Sequence, residues 1–223
     1  MKLNEMMDRP VVMEKIVHFL RDNLPSLSDR LTQLEHSANE RRVPIIPRET
    51  AAYLDQLLTI KQPQKILEVG TAIGYSASLM AQYAPVWTIE RNPVMWDEAE
   101  KTFETNQTTY PIHLLKGDAM DWLNKEELKE FGPFDVIFLD SAKAKYIEFL
   151  PLALNLLAVN GVILIDDVFQ GGTIFDPIET IPRRVRNIHR KLNRLFQDVL
   201  NHPDLKVSVL PLGDGLMVIT KKI

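Results

Sequence analysis

Five apolar runs of strand length, at 65–69, 86–89, 112–115, 134–139 and 161–165, alternate with stretches of helix-length, helix-period patterning. No other feature constrains the fold as much. A strand that follows its predecessor in parallel needs a crossover long enough for a helix, so the alternation predicts βαβ units and a parallel sheet covered on both faces. The run Phe134-Asp135-Val136-Ile137-Phe138-Leu139 has apolar side chains on both faces and fits a central position. The last two runs, 207–212 and 216–220, are separated by only Gly213-Asp214-Gly215. That link is too short for a helical crossover and predicts an antiparallel hairpin at the sheet edge. The expected fold class is α/β, with seven mostly parallel strands and a C-terminal antiparallel hairpin.

Residues 1–60 read differently. Val12, Ile16, Val17 and Leu20 form a helical stripe that Leu24-Pro25 ends, and Leu27, Leu31 and Leu34 suggest a second helix. The segment Arg41-Arg42-Val43-Pro44-Ile45-Ile46-Pro47-Arg48 cannot be regular helix, because its prolines lack donors and bias the residues before them toward extended geometry. It is either a connector or a rim over the carboxyl edge of the sheet. With no internal repeat, low-complexity tract or linker, 1–223 reads as one domain. A helical extension and rim occupy 1–60 and the core 61–223.

Composition removes several classes of function. The chain has no cysteine, which excludes disulfides, thiolate catalysis and Cys-ligated metals. Its longest apolar runs, such as 162–165 and 136–139, fall far short of the ~20 residues that a membrane span requires. The first eight residues show no apolar leader core, so a cytoplasmic location without a membrane partner is expected. A net charge of −4 does not advertise nucleic-acid binding, and no DNA partner is expected; any polyanion site has to be local.

Open α/β sheets bind ligands at the carboxyl ends of their strands, so the polar residues that end each run are the candidates. The first run closes as Ile66-Leu67-Glu68-Val69-Gly70 and enters Thr71-Ala72-Ile73-Gly74-Tyr75-Ser76, a turn with a glycine at each end that opens a helix. Such a turn admits close backbone approach and aims helix N-terminal amides at a ligand. The dinucleotide fingerprint G-x-G-x-x-G fails, since Ala72 and Tyr75 stand at its second and third glycines. The second run ends at Glu90, twenty residues after Gly70, where a carboxylate can take both hydroxyls of a ribose or be merely solvated. After the third run, Asp118 in Gly117-Asp118-Ala119 can meet an adenine amino group, cap the next helix, or do both.

Asp140 closes the fourth run and Asp166-Asp167 the fifth, which brings three carboxylates to one edge. Like charges in a cleft are costly unless a positive group joins them, and oxygen ligands without His or Cys select Mg²⁺, Mn²⁺ or Ca²⁺ over zinc. The alternative is that one Asp caps a helix while another faces solvent. Lys143, three residues past Asp140, can turn its amine to the same centre. Beside a cation its ammonium is disfavoured and it can serve as a general base, although a loop lysine is ordinarily solvated.

These pieces, in this order, resemble the S-adenosylmethionine-dependent methyltransferases with a Rossmann-like sheet. More narrowly, they resemble the metal-dependent O-methyltransferases that include the catechol and caffeoyl-coenzyme A enzymes. The resemblance spans roughly 40–223 and rests on 67–76, Glu90, 117–119, Asp140-Ser141-Ala142-Lys143-Ala144-Lys145-Tyr146, Ile165-Asp166-Asp167 and 213–215. It implies that Glu68, Gly70 and Ser76 hold the methionine part of the cofactor, Glu90 the ribose, and Asp118 with Ala119 the adenine. Asp140 borders the cofactor too. It further implies a metal on Asp140, Asp166 and Asp167, catalysis by Lys143 with Asp140, and a homodimer that packs through the N-terminal helices. Lys145 matches no assigned role. Many relatives carry Asp-Asn where this chain has Asp166-Asp167.

An acceptor chelated through two vicinal oxygens suits this chemistry, and both catechols and 5-hydroxyuridine qualify. Between Pro182 and Leu200, Val185, Ile188, Leu192, Leu195, Phe196 and Val199 share one helical face. Arg183, Arg186, Arg190 and Arg194 project from roughly the opposite side, with no acid between Arg183 and Gln197. With Arg41, Arg42 and Arg48 in the presumed rim, this suits an RNA backbone; a solvated helix face or a coenzyme A phosphate site are the alternatives. Among bacterial relatives the chain resembles the tRNA 5-hydroxyuridine methyltransferases that make wobble 5-methoxyuridine, in Val43-Pro44-Ile45-Ile46-Pro47, Asp166-Asp167-Val168 and the basic late helix. The expected acceptor is therefore tRNA, with a small catechol or acyl-coenzyme A substrate as the alternative.

Overall fold

The computed structural model describes residues 12–222; residues 1–8, read above as carrying no leader, lie outside that range. The chain runs α1 (Glu14–Asn23), α2 (Asp29–Arg41), α3 (Arg48–Lys61), β1 (Ile66–Val69), α4 (Tyr75–Met80), β2 (Val86–Glu90), α5 (Pro93–Asn106) and β3 (Ile112–Lys116). It continues as α6 (Ala119–Asn124), α7 (Glu126–Phe131), β4 (Phe134–Leu139), α8 (Tyr146–Leu156), β5 (Leu157–Ile165), α9 (Arg186–Leu200), β6 (Leu205–Leu210) and β7 (Leu216–Lys221). The sheet order is β3-β2-β1-β4-β5-β7-β6. β1 to β5 are parallel, and β7 pairs antiparallel with both β5 and β6, as the run spacing predicts.

Two cores form because side chains alternate across the pleat. Leu67, Val69, Ile137, Leu139, Ile163 and Ile165 face the layer of α6 to α9, while Ile66, Val136, Phe138, Val162 and Leu164 face α2, α3 and α4. Both faces of β1 and β4 are covered, which is why their runs lack polar alternation. The chain order reverses between β1 and β4, so the carboxyl ends of these two strands flank the crevice where such sheets take ligands.

Three boundaries differ from expectation. β6 covers 205–210 rather than 207–212, because Pro211 has no N–H for the ladder and Gly215 N instead bonds Leu212 O at 2.8 Å. β5 starts at Leu157, not 161, with an irregularity in its pairing to β4 and Asn160 at φ +60°. A third N-terminal helix, α3, starts directly after Pro47. The segment before it is a rim as well as a connector: Ile46 is buried, and Pro47 with Thr50 lies against Gly213 in the β6–β7 turn. No helix among the described residues is long and apolar enough to cross a membrane.

Candidate active site

The β1–α4 turn is shaped by left-handed backbone. Gly70 has φ +109°, Ala72 +46° and Gly74 +85°. A Cβ at Gly70 would lie 1.8 Å from the Asp140 carbonyl oxygen, so β1 and β4 can end side by side only with glycine there. Ser141 Oγ, next to this contact, is buried without a hydrogen-bond partner. An orphaned polar atom in the crevice fits a ligand that brings its own polar group.

Glu68, which the resemblance places on the cofactor's methionine part, has a fully buried side chain. It accepts hydrogen bonds from Ser76 Oγ at 2.5 Å and from Thr88 Oγ1, and Thr88 is linked in turn to Thr71 at 2.6 Å. Burial pushes the Glu68 carboxyl up to about 7, against the opposing pull of the two hydroxyls. Glu68 and Ser76 therefore brace the turn from beneath. The register explains why: Glu68 pairs with Thr88, on the face shared with Ile66.

Glu90 ends β2 as expected and is almost buried; it accepts from Ala72 N at 3.0 Å and Asn92 N at 2.7 Å. Each oxygen keeps further acceptor capacity, and the bond to Ala72 fixes the carboxylate against the glycine turn. Asp118 Oδ1 accepts from Met120 N at 2.8 Å, so the helix-cap reading holds for one oxygen while the other stays available. Ala119 follows it as the first residue of α6.

At the β4 and β5 ends, Asp140 and Asp166 feel the charge of Asp167. Burial, then the charges of Asp167 and Glu68, push the Asp140 carboxyl up to about 8. Burial, then Asp140 and Asp167, raise Asp166 well above the usual carboxylate range. Asp167 is held at φ +59°, which turns its side chain toward Lys143. Among the described residues, no three His, Cys, Asp or Glu side chains already stand in a geometry that holds an ion. The positive charge present is Lys143, whose Nζ lies 3.0 Å from Asp167 Oδ2 and 2.9 Å from Asp214 Oδ2. Burial favours the neutral amine, yet the two carboxylates outweigh it and the ammonium is stabilised. A base role at Lys143 therefore requires that this grip be loosened.

Asp214 was not anticipated as a site residue. It sits 71 residues from Lys143 in the chain, is buried, and accepts from Gly171 N at 2.5 Å with its other oxygen. Val168 N and Phe169 N bond the Gly215 and Asp214 carbonyls at 3.0 and 2.8 Å. The β6–β7 turn thus fastens the loop after β5 and aims Lys143 together. The only sequence signal was its place in Gly213-Asp214-Gly215. Asp214→Asn should lower kcat by about 10-fold by weakening a charge-assisted bond of roughly 1.5–3 kcal/mol, with cofactor affinity, read by calorimetry, unchanged; an unaltered kcat would remove Asp214 from the site.

The arginines divide into two groups. Arg41 pairs with Glu98 at 2.5 Å, Arg48 with Glu35 at 2.9 Å, and Arg194 with Asp198 at 2.8 Å. Arg186 donates to the Ile181 and Glu179 carbonyls at 2.8 and 2.9 Å, so this side chain ties down a loop instead of standing in the expected stripe. Arg42 follows α2 in a left-handed conformation. Arg183, Arg184 and Arg190 are exposed and make no ion pair with a described residue. Lys145 and Lys191 both reach Glu148 at 2.6 Å, which clamps α9 to the turn that carries Lys143.

Residues 23–222 match the model of a family described as "O-methyltransferase". The chain is 33% identical over 180 residues to "O-methyltransferase ankF" of Aspergillus thermomutatus, with 74% of each chain covered. It is 31% identical over 178 residues to a catechol O-methyltransferase of Niastella koreensis, covering 77% of this chain and 80% of that one. Among solved structures, a putative caffeoyl-CoA O-methyltransferase from Staphylococcus aureus superposes with TM-score 0.82 at 28% identity, covering 93% and 98% of the two chains. The SAH-bound Podospora anserina methyltransferase PaMTH1 superposes with TM-score 0.80 at 26% identity, covering 94% of each.

Proposed function

The chain belongs to the O-methyltransferase family and is an S-adenosylmethionine-dependent O-methyltransferase, and we propose that its acceptor is the 5-hydroxyl of 5-hydroxyuridine at the wobble position of tRNA, methylated with the help of Mg²⁺ or a similar cation. The observation that carries the RNA reading is the exposed group Arg183, Arg184 and Arg190, just before and in the first turns of α9, which makes no ion pair with a described residue, in a chain of net charge −4. Unpaired guanidinium groups on one side of an acidic protein suit a phosphate backbone.

The donor chemistry supports the cation. Asp140 and Asp166 are carboxyls whose charges burial and mutual repulsion disfavour, a cost that a hard divalent ion offsets. Asp140, Asp166 and Asp167 would hold it, and it would supply charge that lowers the acceptor hydroxyl's pKa. Cofactor binding falls to the Gly70 turn, Glu90 and Asp118, with Ser141 Oγ as an added donor. Lys143 Nζ, held by Asp167 and Asp214, is placed to take the acceptor's proton, and a cation held by Asp167 would weaken one of those two grips. A homodimer is part of the reading, supported by the exposed side chains of Met13, just before α1, and of Ile16 and Phe19 within it.

The catechol O-methyltransferase relative favours a second reading, a small catechol chelated through its two hydroxyls. Bulk tRNA lacking the modification, incubated with labelled cofactor and digested for nucleoside mass spectrometry, decides between them: methoxyuridine is expected, and turnover on a catechol without it assigns the second reading. In the same assay EDTA should lower turnover by at least about 100-fold, as expected when several kcal/mol of charge stabilisation are lost, with Mg²⁺ restoring it. Full activity in EDTA would remove the metal from the mechanism.

A further inference from the structure

We propose that Phe175, backed by Phe169 and Phe196, is a stacking platform for a nucleobase beside the methylated one; the proposal rests on the RNA reading above. Phe175 is 71% exposed although both its neighbours are fixed. Ile174 is buried, its carbonyl accepts from Asn193 Nδ2 at 3.1 Å, and the Asp176 carbonyl is bonded to His189 Nε2 at 3.1 Å. The short turn Thr173–Phe175 is thus pinned across α9, and the ring it presents to water is held rather than dangling.

This ring belongs to a set that leads to the chemistry. Its centroid lies 5.4 Å from that of Phe169, which stacks within 7° of parallel on Phe196. Phe169 packs against the backbone of Gly215, where a Cβ would meet its ring at 2.4 Å. Gly215 adjoins Asp214, the partner of Lys143, and Gly171 N bonds the same carboxylate. Gly171 and Gly172, at φ +63° and +77°, give the chain its path from that carboxylate to the exposed ring. A continuous chain of contacts therefore joins the lysine to Phe175.

Position and chemistry agree on the occupant. Asn193 and His189, which fasten the Phe175 turn, lie on α9 within one turn of Arg190. An exposed aromatic face whose supporting helix also carries an exposed arginine with no ion pair to a described residue is the combination that suits a splayed single-stranded base and its phosphate. A buried role is excluded by the exposure, and a lone surface aromatic needs neither the pinned turn nor the two supporting rings.

The test measures binding of a synthetic anticodon stem-loop carrying 5-hydroxyuridine, intact or with an abasic nucleotide on either side of it. Phe175→Ala should weaken binding of the intact RNA by about 10- to 100-fold, the range of one lost base–aromatic stack, while Phe175→Trp retains it and melting temperature stays level. One abasic RNA should bind the parent as weakly as the intact RNA binds Phe175→Ala, and the substitution should then add nothing. Binding of Phe175→Ala within twofold of the parent, or an equal loss on intact and both abasic RNAs, overturns the stacking role and leaves the RNA reading standing. A parent protein that binds no stem-loop overturns both.

Discussion

Lys143→Ala is expected to lower kcat by about 10²- to 10⁴-fold, the contribution of a positioned acid–base group, while cofactor affinity is kept. The side chain does two separable things. Its ammonium bridges Asp167 and Asp214 at 3.0 and 2.9 Å, and it is the candidate acceptor of the substrate's proton. Removal leaves two carboxylates without their shared counter-charge, so folding stability should also fall, by about 1–3 kcal/mol. Lys143→Arg separates the roles, because a guanidinium restores the charge and cannot give up its proton near neutral pH. Stability by thermal melting should recover in Lys143→Arg, and turnover should not. Parent-level turnover in Lys143→Arg would mean that Lys143 acts through charge alone and that the proton leaves by another route.

What the sequence shows of this site, and what it hides, follows from the range of the interactions. The central strands were readable because β1 and β4 are buried on both faces, which writes mostly apolar runs, broken only by Glu68 and Asp135, into the chain. Their ends were readable because strand-terminal Glu90, Asp140, Asp166 and Asp167 break those runs. Partners of long side chains were not readable. Arg41 reads as a phosphate ligand until the fold brings Glu98 to 2.5 Å, and Arg186 until the Ile181 and Glu179 carbonyls come within reach. The resemblance puts Glu68 on the cofactor, and no local pattern shows that the pleat also hydrogen-bonds it to Ser76 and Thr88. Asp214 lies on a hairpin whose place beside Lys143 depends on β7 pairing with β5, a contact that no local pattern encodes. Residue types and strand ends were thus local information; which charges neutralise one another was not.

That dependence on packing is sharpest at Gly70, where substitution should damage fold and chemistry together. An alanine Cβ would stand 1.8 Å from the Asp140 carbonyl oxygen and 2.8 Å from its carbon, both backbone atoms, and φ is +109°. A backbone clash cannot be relieved by a rotamer, so β1 and β4 have to separate at their ends. The parallel contact Val69↔Leu139 and the bond from Asp140 N to Val69 O at 2.9 Å would be the first affected. A destabilisation of about 4 kcal/mol or more is expected, in the exceptional range that strained core substitutions reach. Gly74→Ala is the control, since its Cβ meets the Phe103 ring at 2.5 Å at φ +85°. A side chain that can swing away and an ordinary left-handed penalty of about 1–2 kcal/mol predict a milder loss. Chemical denaturation of the two variants ranks them directly. If Gly70→Ala were no less stable than Gly74→Ala, the Asp140 carbonyl would not be the wall against which the turn is built. Because that carbonyl belongs to a candidate metal and cofactor residue, any surviving folded Gly70→Ala should also bind cofactor poorly, whereas folded Gly74→Ala should keep most of its affinity.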